Sequence, residues 1–349
     1  MDKPKNKNTM IRDRFFIVIA ILFLMTWQCR TVAQIKGNEI TVMVSPDHDD
    51  RNYGLGEKCE FTVSVYKAQN LLRDVVIDYE LGPVMYADVK KENVRLKDGA
   101  CRLTGRMDKP GYYRCKVRAH SGGRTYEGLA TVAFAPEKIE AAAQMPTDFK
   151  AYWERNISQA RQTPLDSRMR LLPERCTDNS TSFYYRRVVL GVIRAIDFID
   201  QLPQYNHKAL GVTGSIQGGA LSIMAAGLDS RVTCYAAVHP ALCDHEAFLK
   251  GRAGGWPHYY YYDTKPSDKT IENIRHYDVV NFARCITVPG WFSWGYNDEV
   301  CPPTSMQAAY NAVKAPKEFK PYLQTGHYWY QEQWDEWCEW IWNKLGIYE

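Results

Sequence analysis

A tight turn between an apolar strand and a helix constrains the fold of this chain more than any other feature. Residues 209–213 form an apolar run that predicts a strand, and Gln217–Leu228 predicts a helix directly after it. Between Gly214 and Gly218 the chain must reverse sharply. In a G-x-S-x-G turn of this kind, the middle residue presents its hydroxyl as a nucleophile. Here that position is Ile216, whose butyl side chain cannot attack a carbonyl.

Two residues further along the chain decide whether this turn is a coincidence. Asp298 follows the predicted strand at residues 286–294, and His327 follows the last predicted strand at 319–324. In enzymes of the α/β-hydrolase fold, nucleophile, acid and histidine occur in this order, each at the end of a strand. A single loop aspartate is usually solvated and a single histidine is more often structural. Three positions in the right order therefore favour a triad, with Ile216 at the nucleophile position.

Secondary-structure periodicity divides the chain into two parts. From about residue 38 to 135, period-two alternation separated by turn signals is typical of an all-β sandwich. From residue 146, helices alternate with short apolar strands, which indicates a parallel sheet with flanking helices. A length of 349 residues also exceeds the usual size of one core. We therefore expect a β-sandwich domain over residues 34–136 and a partial α/β-hydrolase domain over 137–349.

The predicted sandwich carries a pattern typical of immunoglobulin-like folds. Tyr113 lies two residues before Cys115, and Cys59 lies on an earlier predicted strand. This matches the tyrosine corner and the inter-sheet cysteine pair of such domains, although no Trp lies between the two cysteines. A Cys59–Cys115 disulfide is the resulting hypothesis, and buried free thiols are the alternative.

The first 33 residues predict a cleaved signal peptide. Basic residues precede an apolar run at residues 15–27, and a small-residue site ends at Ala33. The run is shorter than the roughly 20 residues of a transmembrane helix. We expect a periplasmic or extracellular protein without a membrane anchor after cleavage. A net charge of +4, with no lysine/arginine block beyond the N-terminus, indicates no nucleic-acid partner.

The C-terminal half resembles the acetyl xylan esterase / cephalosporin C deacetylase family, in the form found in exported bacterial proteins. The stretches that carry the resemblance are residues 211–222, 228–232, 251–257, 277–283, 297–304 and 325–327. The resemblance implies removal of acetyl groups from sugar hydroxyls by a Ser-His-Asp triad, without metal or other cofactor. It also implies His327 as general base, Asp298 as its orienting partner and the Gln217 N–H as an oxyanion donor.

The sequence departs from the family pattern in two ways. The nucleophile is replaced by Ile216, and Ser215 is no substitute because a shift of one residue turns its side chain away. In addition, only residues 177–183 separate Cys176 from the helix predicted at Tyr184. The family normally has several strands and helices there, including the loop that supplies the second oxyanion donor. The strand at 209–213 then lies on an open edge, which favours a homo-oligomer or aggregation.

These departures predict an inactive or severely impaired esterase. Loss of the nucleophile typically removes about six orders of magnitude in turnover. An acetylated oligosaccharide or another small acetyl ester remains the expected partner. A non-catalytic glycan-binding or scaffold protein is a second interpretation, and the product of a defective gene is a third. At Ile216 itself, either the turn relaxes or it persists at a cost of roughly 1–3 kcal/mol.

Other aromatic, histidine and cysteine residues have less specific interpretations. Residues 256–262 form either a sugar-stacking rim or core packing. The remaining histidines show no metal-site spacing: His239, His245, His258 and His276. The later cysteines form no C-x-x-C pair, so we expect buried thiols or one late disulfide: Cys234, Cys243, Cys285 and Cys301.

Overall fold

The N-terminal part consists of β-strands in two sheets. The computed structural model describes residues 38–165 and 183–347, so the predicted signal peptide lies outside the described residues. The strands are β1 Ile40–Pro46, β2 Asn52–Tyr53, β3 Cys59–Lys67, β4 Asn70–Leu71, β5 Val75–Pro83, β6 Val89–Leu96, β7 Ala100–Gly105, β8 Gly111–Ser121 and β9 Arg124–Phe134. In one sheet, β3 pairs with β1, β4 and β7. The other sheet has the order β2-β9-β8-β5-β6. The pairings are antiparallel except that of β2 with β9.

The two sheets share one buried core because their strands alternate inward and outward. Val63 and Val65 on β3 are fully buried, as are Val117 on β8 and Val132 on β9. These strands were expected from the period-two pattern. The immunoglobulin-like assignment and the boundary near residue 136 stay predictions.

The proposed Cys59–Cys115 disulfide is wrong. Within the described residues both cysteines are free and buried. The Cys59 thiol instead donates to the carbonyl oxygen of Gly105 in its own sheet, at 3.3 Å. Burial raises the pKa of Cys59 to about 11, so the thiol stays protonated and unreactive. The core between the two sheets is thus held by packing.

The C-terminal part is a parallel sheet with helices around it, as the alternating pattern predicted. Its strands are β10 Gly211–Ser215, β11 Cys234–Val238, β12 Gly290–Gly295 and β13 Lys317–Tyr322, in that spatial order. Its helices are α1 Phe149–Arg161, α2 Tyr184–Asp200, α3 Gln217–Leu228, α4 Tyr259–Tyr262, α5 Asp268–Arg275, α6 Val279–Ala283, α7 Pro303–Ala312 and α8 Gln331–Leu345. Short 3-10 helices occur at Pro136–Lys138 and His245–Lys250. Strands β11 and β12 are buried at every position, which explains their continuous apolar sequence.

Strand β10 lies at an edge of this sheet. Among the described residues its partner is β11 alone, in parallel register from Gly211 with Cys234 to Ser215 with Val238. The open edge expected from the sequence is therefore present in this part of the chain. Of the segment predicted to be truncated, residues 177–182 lie outside the described residues, and Phe183 is buried just before α2.

The sheets of the N-terminal part meet the α/β part through both apolar and polar contacts. Tyr112 on β8 packs edge-on against Tyr296 with ring centroids 5.1 Å apart, and its hydroxyl donates to Gln307 on α7 at 2.9 Å.

Within 38–165 and 183–347, the helices are too short or too polar to cross a bilayer.

Candidate active site

The strand-to-helix turn keeps a strained conformation at Ile216. Its backbone has φ 57° and ψ −114°, so of the two expected outcomes the turn persists and does not relax. The Ile216 N–H donates to the Val238 carbonyl at 2.9 Å, and its carbonyl accepts from the N–H groups of Ala220 and Ala241, each at 3.0 Å. A β-branched residue at positive φ is an outlier that costs roughly 1–3 kcal/mol. The three hydrogen bonds hold the residue in place against that cost.

Of the two glycines that frame the turn, only Gly214 is sterically required, because a side chain there would clash with backbone. A Cβ added at Gly214 would lie 2.6 Å from the carbonyl carbon of Gly218. A Cβ added at Gly218 would meet nothing within 4 Å in the described residues. The first glycine therefore permits the sharp approach of strand and helix, and the second does not.

This difference predicts opposite effects of two matched substitutions. Gly214→Ala should lower the free energy of unfolding by about 1–3 kcal/mol or more, because backbone must move. Gly218→Ala, in the first turn of α3, should be neutral or stabilise by about 0.5–1 kcal/mol. Denaturant unfolding of both variants measures the difference. Equal stability of the two variants would mean that the turn is not packed as described.

A buried carboxylate joins two histidines at the carboxyl ends of the parallel strands. The Nδ1 atom of His327 lies 2.9 Å from Oδ2 of Asp298, and Nδ1 of His239 lies 2.8 Å from the same oxygen. The side chains of Asp298 and His239 are 0% and 1% exposed, and that of His327 is 21% exposed. The structure thus brings the predicted Asp298 and His327 together and adds His239.

The other carboxylate oxygen of Asp298 is also bonded. Oδ1 accepts from the backbone N–H groups of Val300 at 2.8 Å and Cys301 at 2.9 Å. Burial alone would raise the pKa of Asp298, but the hydrogen bonds from His239 and His327 hold it at about 2. The carboxylate therefore stays ionised, which fixes the orientation of both imidazoles.

The lowered pKa of Asp298 predicts a stability loss in acid. Its ionised form stabilises the fold fully above the unfolded pKa of about 3.9, and this contribution disappears as pH falls through about 2. The shift corresponds to roughly 2–3 kcal/mol. Unfolding free energies of the unaltered protein and Asp298→Asn, measured from pH 5 to pH 2, should converge. A constant gap across that range would contradict the assignment.

Arg114 on β8 supports the Asp298 loop from the N-terminal part. Its side chain is 10% exposed, and its guanidinium donates to the backbone carbonyl of Asp298 at 2.9 Å and to the hydroxyl of Thr131 at 2.8 Å. Sequence reasoning missed this residue, since 184 positions separate it from its partner. It missed the role of His239 as well, although His239 directly follows β11 just as the other candidates follow their strands.

The same three side chains could also supply metal ligands. One ligand atom from each of His239, Asp298 and His327 lies within 4.8 Å of the others. A second such group, near the surface, consists of Asp148, Glu272 and His276. In the first group the ring-to-carboxylate distances of 2.8–2.9 Å are those of N–H···O hydrogen bonds. Two imidazoles sharing one carboxylate describe this arrangement better than an ion site does.

Gln217, the expected oxyanion donor, and the aromatic segment 256–262 lie within the described residues. Gln217 begins α3, and N–H groups in a first turn have no acceptor within their own helix. Such a group at the positive end of a helix favours a developing negative charge. In the segment 256–262, Tyr260 is buried in the interior, whereas Tyr261 and Tyr262 are exposed. A sugar-stacking role of the exposed rings stays a prediction. The four later cysteines are free thiols within the described residues, and Cys285 is the exposed one among them.

Comparison with known proteins identifies the family. The family model "Acetyl xylan esterase (AXE1)" matches residues 174–344. The acetyl esterase Axe7A of Xylanibacter ruminicola is 30% identical over 412 residues, covering 90% of this chain and 92% of that protein. Two acetyl xylan esterase structures are more distant. The one from Paenibacillus sp. R4 has 18% identity and a TM-score of 0.44, covering 88% of this chain and 90% of its own. The one from Thermoanaerobacterium sp. JW/SL YS485 has 14% identity and a TM-score of 0.43, covering 88% of each. The resemblance inferred from the sequence is confirmed: the chain belongs to the acetyl xylan esterase family.

Proposed function

We propose that this protein is a non-hydrolysing member of the acetyl xylan esterase family, which binds acetylated saccharides at the remains of the active site. The observation that carries the proposal is Ile216 at the tip of a turn that keeps the strained geometry of a nucleophile. His327 and Asp298 remain hydrogen-bonded to each other, whereas the nucleophile position carries no hydroxyl group. In the family mechanism His327 would act as general base, oriented by Asp298, with the Gln217 N–H facing the oxyanion.

Neighbouring nucleophilic side chains do not replace the lost serine. The Ser215 hydroxyl is buried without a hydrogen-bond partner in the described residues, so no base activates it there. The Cys243 thiol donates to the carbonyls of Pro240 and Ala241, at 3.4 and 3.3 Å. Burial raises the pKa of Cys243 well above that of an ordinary thiol, which keeps it from forming a thiolate. Acetyl transfer to the protein therefore lacks an acceptor at this turn.

The preserved strain favours retention of a site over simple decay. A turn that costs roughly 1–3 kcal/mol persists only where its surroundings over-determine it. Here the surroundings are the hydrogen bonds of Ile216 and the close approach of Gly214 to α3. An acetyl group fits such a place, because its carbonyl can accept from the first turn of α3 and its methyl can contact the isoleucine.

The proposal includes an internal truncation and a second domain. The match to the Xylanibacter ruminicola esterase extends over 412 residues, more than the 349 of this chain, which supports loss of segments that the relative has. We place the loss at about residues 177–183, with the second oxyanion donor removed. We also assign residues 34–136 as an immunoglobulin-like domain and 137–349 as the hydrolase domain.

We also propose that the protein is exported and that it can form a homo-oligomer. The predicted signal peptide at residues 1–33 would export the chain to the periplasm or the extracellular space, where acetylated polysaccharide occurs. The open edge of β10 would allow two copies to pair as a homo-oligomer. We expect no nucleic-acid partner, because charge is mild and evenly spread.

Calorimetric titration tests the binding function. The unaltered protein should bind an acetylated xylo-oligosaccharide at least about 1 kcal/mol more tightly than the same compound after deacetylation, and should release no acetate. Ile216→Glu should abolish this preference by placing a charge at the turn. Leu71→Glu, an equivalent change at an exposed position of β4, should not. Acetate release by the unaltered protein would show that it is an active esterase. Equal affinity for both ligands would show that the site does not recognise the acetyl group.

A further inference from the structure

Helix α8 presents two tryptophans to the surface on one face. Trp334 and Trp342 are 42% and 40% exposed, and they lie beside the face through which the helix packs on the sheet by Trp337 and Ile341. The Trp334 ring also contacts the Trp337 ring, with centroids 5.1 Å apart. The two exposed residues are eight positions apart, which places them about 12 Å apart along the helix. Cys338 lies between them at helical spacing and is half-buried. Large exposed aromatic side chains in such a row are unusual unless they contact a ligand or a partner.

A second row of side chains runs beside the tryptophans. Asp335, Glu339 and Asn343 are also four positions apart, and together with the first row they line a groove of 560 Å³. Because all six lining residues belong to one helix, the groove is open to solvent and suits a chain that lies along its surface. Flat rings on one side and carboxylate and amide groups on the other meet the two needs of a sugar. The rings cover its apolar C–H face, and the polar groups bond its hydroxyls.

We propose that this groove on α8, formed by Trp334, Trp342 and the row Asp335–Glu339–Asn343, is a second carbohydrate site that binds an uncharged oligosaccharide chain. The length between the tryptophans suits an oligosaccharide rather than a single sugar. The groove lies on a different element from the turn at Ile216. It therefore holds the polysaccharide backbone and does not depend on acetyl groups.

The charge of the helix disfavours an acidic ligand. Beside the groove residues, α8 carries Glu332 and also Glu336, which is paired with Lys320 at 2.8 Å, while its basic residue is Lys344 in the last turn. An acidic sugar or a nucleic acid would be repelled by this surface. Hydroxyl groups of a neutral chain can instead donate to the carboxylates.

The aromatic surface continues from the groove toward the candidate active site. Trp329 stacks on Trp334, with ring centroids 6.4 Å apart and planes 24° apart. Tyr328 and Trp329 directly follow His327 in sequence, and both are exposed. A saccharide chain bound at α8 can therefore extend along these rings toward the end of the sheet that holds His327.

The reactivity of Cys338 measures occupancy of the groove directly. Unacetylated xylohexaose should slow alkylation of Cys338 by iodoacetamide, as followed by peptide mass mapping. Alkylation of Cys285, which is exposed outside the groove, should not change and serves as the internal control. Trp334→Ala and Trp342→Ala should each weaken xylohexaose binding at least tenfold by calorimetry. Phe198→Ala, at an exposed aromatic position on α2, should leave binding unchanged.

The outcomes separate this proposal from its competitors. Absence of Cys338 protection by xylohexaose, or tryptophan variants that bind as tightly as the unaltered protein, would overturn it. Cys338 protection that rises with protein concentration without sugar would identify the groove as a contact between copies, which also overturns it. Trp334→Phe keeps a ring and should retain part of the affinity, which guards against a misfolded alanine variant. Because the probe carries no acetyl group, the groove can be confirmed even if acetyl recognition at Ile216 fails.

Discussion

Ile216→Ser is expected to give this protein acetyl-ester hydrolysis that the unaltered chain lacks. The backbone at residue 216 already has φ 57° and ψ −114°, and His327 is already held by an ionised Asp298. A serine placed there would occupy the tip of the turn without requiring the fold to change. The substitution also removes a β-branched side chain from positive φ, where such side chains are disfavoured.

The size of the gain follows from two opposing contributions. Restoring a triad nucleophile returns up to about 10⁶-fold in turnover. The proposed loss of the second oxyanion donor removes about 10²–10³-fold. We therefore expect hydrolysis of 4-nitrophenyl acetate to rise about 10³–10⁴-fold over the unaltered protein.

Ile216→Ala is the matched control for this gain. It removes the same branched side chain but supplies no hydroxyl, so it should stay as inactive as the unaltered protein. Rescue by serine to the full extent of about 10⁶-fold would show that the oxyanion site is complete in spite of the truncation. A serine variant with the activity of Ile216→Ala would show that the remaining groups are not arranged for attack.

The sequence predicted the site's framework because the order of elements determines it. Parallel strands bring their carboxyl ends to one edge of a sheet, so residues that follow β12 and β13 lie along the same edge as the turn after β10. Asp298 and His327 could be chosen by that argument alone. The same argument applies to His239 after β11, and testing each strand end for polar side chains would have found it.

Contacts between distant segments were beyond sequence reasoning. Arg114 supports Asp298 from another sheet, and nothing local to β8 indicates that partner. The absent disulfide has a similar cause: the Tyr-x-Cys pattern was present, but Cys59 is bonded within its own sheet. At Ile216, local backbone preference alone allowed the turn to relax. The hydrogen bonds of Ile216 to Val238 and Ala241 hold the turn in its strained conformation.

Asp298→Asn, introduced into the Ile216→Ser protein, is expected to remove nearly all of the rescued hydrolysis. Asp298 accepts from Nδ1 of His327 at 2.9 Å, and an ionised carboxylate there stabilises the imidazolium formed when the serine loses its proton. An amide cannot supply that charge, and it favours the wrong tautomer of the imidazole. In a serine triad this exchange lowers turnover by about 10⁴-fold, so activity should fall to that of the unaltered protein.

A second Asp→Asn exchange, on the N-terminal sheets, is the control for this prediction. Asp74→Asn alters an exposed ion pair with Arg95 on the N-terminal sheets, and the rescued rate should not change. His239→Leu separates the two histidines, because it removes one donor to Asp298 but leaves His327 in place. Rescued turnover should fall far less than with Asp298→Asn, because the Asp298 carboxylate stays hydrogen-bonded to His327. If Asp298→Asn hydrolyses as fast as Asp74→Asn, the rescued chemistry does not use the carboxylate, and the lost active site lay elsewhere.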